Sequence, residues 1–124
     1  MFPGFVLDKR LVAVAQVASG VMSWESPLNN AGYAVDQDKT KGQQQVIGTR
    51  GLRNKLAQIV VTGASVAPTI NMEGSMDGAT WVQLATVNAM AGGSLASTDD
   101  YPQTRINVAV YTDGTITGHF EARE

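Results

Sequence analysis

Two Asp-Gly pairs, each set between stretches that alternate apolar with polar residues, restrict the fold of this chain more than any other feature. Ahead of the first, Thr69, Asn71 and Glu73 alternate with Ile70 and Met72, the period of a strand with one buried face. Asp77-Gly78 follows as a turn, because glycine accepts positive φ and an aspartate carboxylate accepts hydrogen bonds from the N–H groups just after it. Extended structure resumes at Trp81-Val82-Gln83-Leu84-Ala85, with an aromatic anchor at its head that is expected in the core. The second pair, Asp113-Gly114, lies between residues 104–111 and 115–122. The former places Ile106, Val108 and Val110 on one face, and the latter turns Ile116, Phe120 and Ala122 inward. Both pairs read as β-hairpins.

The remaining regular stretches agree with this period. Residues 55–62, with Ile59-Val60-Val61, form a strand closed by Gly63-Ala64. Residues 11–18 carry the β-branched Val12, Val14 and Val17, which favour a strand over a short helix. Residues 88–93 read as a small-residue loop, followed by a short strand over 94–97. Many short strands separated by Gly and Asp turns imply an all-β chain, an antiparallel β-sandwich of jelly-roll-like form. At 124 residues there is enough chain to bury one core, and the absence of cysteine removes disulfides and thiolate metal sites.

The first part of the chain lacks this order. Residues 1–10 read as an extended N-terminal arm, and 11–124 as one domain with a long loop region at about 20–54. Phe2 and Phe5 either cover the domain's own core or dock on a partner. Lys9-Arg10 and the apolar run after it only loosely imitate a signal peptide, since Asp8 precedes the run and Gln16 interrupts it, so a soluble, unprocessed chain is expected. Trp24 stands alone among turn residues. Residues 39–55 hold Lys39, Lys41, Arg50, Arg53 and Lys55 and no acid, whereas the chain as a whole carries −2. That loop is either solvated or suited to an acidic patch on another protein, and the net charge disfavours nucleic acid. The candidate partner contacts are therefore Phe2, Phe5, Trp24, Arg50, Arg53 and Lys55.

Catalytic residue sets are sparse. His119 is the only histidine and falls on the polar face of its strand with Thr115, Thr117 and Glu121. Neither a zinc site nor a nucleophile–base pair can be assembled around one histidine without cysteine. Asp77, Asp99 and Asp100 do not have the spacing of a calcium loop, and with Glu73 they are expected to make turns and polar surface. No enzyme activity, cofactor, metal, membrane contact or small-molecule substrate is expected.

The stretch Glu73-Gly-Ser-Met-Asp-Gly-Ala-Thr-Trp-Val-Gln-Leu84 resembles a hairpin of the form S-x-D-G-x-T-W found in small jelly-roll and discoidin-like domains. The resemblance implies that Ser75, Asp77 and Thr80 tie the turn while Trp81 packs inside. Asp-box hairpins of sialidase propellers are similar, but they place one more residue between Asp and Gly and recur, which this one does not. Over residues 56–124, the order of hairpin, Ala91-Gly92-Gly93-Ser94-Leu95 loop, Arg105-Ile-Asn-Val and the Asp113-Gly114 turn looks like small structural proteins of tailed bacteriophages. Among these it is most similar to head decoration, or cement, proteins. That likeness implies a self-associating virion protein on the capsid surface, present in host cytoplasm during assembly, with the major capsid protein or other virion proteins as partners. A neck or tail component and a carbohydrate-binding module are the alternatives.

Overall fold

The computed structural model describes residues 9–25 and 44–124, and among them every regular element is a β-strand. In chain order they are β1 (Lys9–Ala13), β2 (Gly20–Val21), β3 (Trp24–Glu25), β4 (Ile47–Gly48), β5 (Asn54–Thr62), β6 (Thr69–Ser75), β7 (Val82–Asn88), β8 (Gly92–Ser97), β9 (Gln103–Val110) and β10 (Thr115–Arg123). Two antiparallel sheets face each other. One runs β3-β1-β10-β5-β8, the other β2-β9-β6-β7, with β4 sharing the outer edge of β9. The pairs are nested: β6 with β7, β5 with β8, β2 and β4 with β9, and β1 with β10. Nested pairing distributed over two sheets is the jelly roll, with the β6–β7 hairpin at the tip of the roll. β3 is an added edge strand beside β1.

Alternation builds the core. Along β5, Lys55, Ala57, Ile59 and Val61 point inward while Leu56 and Val60 remain exposed. Ile70 and Met72 from β6, Ile106 and Val108 from β9, and Ile116, Phe120 and Ala122 from β10 complete the two inner faces. The edge strand β3 contributes the largest core side chain, Trp24, whose ring centroid is 6.0 Å from that of Phe120.

Four expectations need correction. Residues 9 and 10 belong to β1 and not to an arm, because Lys9 and Arg10 pair with Ala122 and Glu121; β1 in turn ends at Ala13. Val110 is exposed, because the β6–β9 register shifts between Thr69 and Ile70 and the extra residue on β9 breaks its alternation. Gly92 and Gly93 lie in β8, where Gly92 pairs with Val60. Asp113-Gly114 does not close a hairpin. β9 and β10 lie in facing sheets, so the turn crosses the sandwich instead of joining neighbours.

Candidate functional site

Turn chemistry fixes both ends of the sandwich. In the β6–β7 turn, the fully buried Ser75 accepts hydrogen bonds from Gly78 N (2.8 Å) and Asp77 N (3.3 Å), and its hydroxyl donates to Asp77 Oδ1 (3.1 Å). Asp77 Oδ1 also accepts from Ala79 N (2.9 Å) and Thr80 N (2.8 Å), so Thr80 serves the turn through its backbone. Gly78 sits at φ 81°, in the left-handed region that the turn requires. At the opposite end, the carboxylate of Asp113 accepts from Ser65 N (2.8 Å) and Ser65 Oγ (2.6 Å), lashing the crossing turn to the β5–β6 loop. Tyr111 Oη donates to Gly114 O (2.7 Å) within that crossing turn.

These bonds hold two carboxylates below their ordinary value of 3.8, Asp77 chiefly through Thr80 N–H and Asp113 chiefly through the Ser65 hydroxyl. A depressed folded value means that the unfolded chain takes up protons first. The stabilisation is therefore complete above the ordinary carboxylate value and is lost as pH falls through the folded values. Urea midpoints measured downward from about pH 5 are expected to fall, and Asp77→Asn combined with Asp113→Asn should flatten that slope. An unchanged acid slope in the double variant would refute these assignments.

The structure separates the proposed contact residues. Arg50 and Arg53 are exposed in the β4–β5 turn, as a contact requires. Lys55 is only 3% exposed, which corrects its placement on the surface. Its ammonium donates to the carbonyls of Leu52 (3.5 Å), Arg53 (3.2 Å) and Asp99, and burial lowers its pKa against the opposing pull of Asp100 and Asp99. A lysine committed to backbone carbonyls is a structural clasp. Gly51 N donates to Asp100 Oδ1 (3.1 Å), so the basic turn is backed by acids. Beneath it, Thr49 Oγ1 donates to Tyr101 O (2.8 Å), which leaves Thr104 Oγ1 to donate to Thr49 Oγ1 (2.7 Å). Phe2 and Phe5 lie outside the described residues, as do Lys39 and Lys41.

Both tryptophans are placed opposite to expectation. Trp24 is fully buried, so it offers nothing to a partner. Trp81 lies partly exposed on the outside of the β9-β6-β7 sheet, 4.2 Å above the guanidinium of Arg105. Arg105 Nε also donates to Glu73 Oε1 at 2.6 Å, and Asn107 Nδ2 approaches Glu73 Oε2 at 3.4 Å. This cluster arises because outward residues on β6 and β9 face one another, Glu73 opposite Arg105 and Asn71 opposite Asn107. Strand phase alone does not reveal it, because which strands are neighbours is set by topology.

The outer face of the β3-β1-β10-β5-β8 sheet holds a shallow depression of about 380 Å³ lined by Arg10, Val12, Leu56, Gln58, His119 and Glu121, among others. His119 stands in a cross-strand row between Val12 and Gln58. Glu121 is held by Arg10 (2.8 Å) and Arg123 (2.7 Å). A second depression, about 480 Å³, adjoins it across Leu56 and reaches Ala96 on β8. The exposed Leu56 and Val60 were legible as apolar residues out of phase with the buried ones. Among the described residues, no group of three or more His, Asp or Glu gathers to hold a metal. The chain matches no protein-family model, and no curated protein is significantly similar to it.

Proposed function

We propose that this chain is a non-enzymatic structural protein of a tailed-bacteriophage virion, a head decoration protein that binds capsomers and stabilises the shell. One observation carries the reading. Ala122 on β10 is flanked in one cross-strand row by Lys9 and Lys55, so residues 1–8 attach at the same end of the sandwich as the exposed Arg50 and Arg53. The chain therefore enters β1, shortly after the candidate contacts Phe2 and Phe5 in sequence, at the end that carries the basic candidate contact. An exposed pair of arginines suits a protein surface with an acidic rim. The burial of Trp24 and the engagement of Trp81 with Arg105 leave few aromatic platforms for a sugar, which weighs against the carbohydrate-binding alternative.

Cosedimentation with mature tailed-phage capsids and, separately, with purified tails tests the reading. Saturable binding to capsids is expected, weakened about tenfold (about 1.4 kcal/mol) by Arg50→Glu with Arg53→Glu. Binding to tails alone would move the assignment to a neck or tail component, and binding to neither would overturn the virion reading.

A further inference from the structure

The side of the sandwich formed by β7 and β8 differs from every other. Residues 79–98 are twenty consecutive positions without Asp, Glu, Lys, Arg, His or Pro, in a chain in which 16% of residues are charged. They include both strands that end their sheets on this side, β7 and β8. Sheet edges carry unpaired N–H and C=O groups, and soluble proteins ordinarily guard them with lysine, proline or a bulge. β7 has such a guard, because its register with β6 shifts between Met72 and Glu73 and leaves an extra residue on β7. β8 has none. It pairs with β5 from Lys55↔Ser97 to Val60↔Gly92 without a shift, and its other edge has no neighbour among the described residues.

We infer that this edge is a self-association surface, on which β8 pairs antiparallel with β8 of a second copy to continue the five-stranded sheet across a two-fold axis. Charge selects the occupant. Near a two-fold axis each side chain meets its own kind, so a single charge there repels its mate, whereas an edge meant for a different partner can carry charges that the partner answers. An edge wholly free of charge is the composition that self-pairing requires. Its outward residues, Ser94 and Ala96, are small and exposed, so two copies approach without steric conflict. Val82 (45% exposed) and Met90 (50% exposed) add apolar surface on the same side.

The virion reading already includes self-association, and this inference assigns it to the β8 edge; its test needs no shell, so either can fail alone. Sedimentation equilibrium of the full chain is expected to show a dimer at about 50 μM, and Ser94→Lys with Ala96→Lys should raise the dissociation constant about tenfold or more. Should that variant not fold, Ala96→Glu alone serves. In the unsubstituted protein, amide hydrogen exchange across Gly92–Ser97 should slow as concentration rises. A monomer at 100 μM (~10⁻⁴ M), a dimer untouched by the edge charges, or exchange independent of concentration would overturn the inference. A dimer lost only on removal of residues 1–8 would also overturn it, in favour of the N-terminal segment.

Discussion

Trp24→Ala is expected to lower stability by about 3–5 kcal/mol, and Trp81→Ala by about 1 kcal/mol. The contrast follows from where each ring lies. Trp24 is fully buried and meets Phe120 at a 58° tilt, so its truncation opens a cavity at the edge of the core, where β3 closes the sandwich against β1. Trp81 covers Arg105 from outside, and its loss forfeits one cation–π contact together with partial burial. Urea unfolding followed by circular dichroism separates the two. Equal losses, or a larger loss at Trp81, would show the placement of the rings to be wrong.

Gly92→Ala is expected to cost about 2–4 kcal/mol, seen as a melting temperature lower by on the order of 10 °C. Two penalties act at this one residue. Its φ of 90° is a conformation that residues with a side chain rarely adopt. A Cβ built there would also lie 2.2 Å from the Ile59 carbonyl oxygen, on backbone that cannot step aside without breaking the β5–β8 pairing. A change below about 2 °C would mean that β8 does not approach β5 as closely as described.

Part of this architecture was legible in the sequence and part was not. Local chemistry was readable. The alternation in Ile70–Met72 and Ile116–Phe120–Ala122 gave the correct inward faces, and Ser75-x-Asp77-Gly78 gave the turn. What escaped depends on which strands become neighbours. An Asp-Gly pair between alternating runs has the same appearance whether the runs lie side by side or in facing sheets, so Asp113-Gly114 read as a hairpin when its carboxylate in fact reaches Ser65 on another loop. Trp24 lay among turn residues with no periodic neighbours, and only the pairing of β3 with β1 carries it into the core. Arg50, Arg53 and Lys55 share a charge but not an environment, because Lys55 is in phase with Ala57 and Ile59.

The nested pairing also sets the order in which the molecule can be made. β10 is an interior strand of its sheet, held between β1 and β5, and its partner Lys9 lies at the other end of the sequence from Ala122. During synthesis, β5 through β9 emerge while the slot between β1 and β5 is still empty. Closing that slot joins segments more than a hundred residues apart, a loop-closure cost that comes before any contact rewards it. Folding is therefore expected to be slow and to finish only once residues 115–123 have left the ribosome. Until then the chain displays two bare strand edges that its own C-terminal strand is shaped to fill.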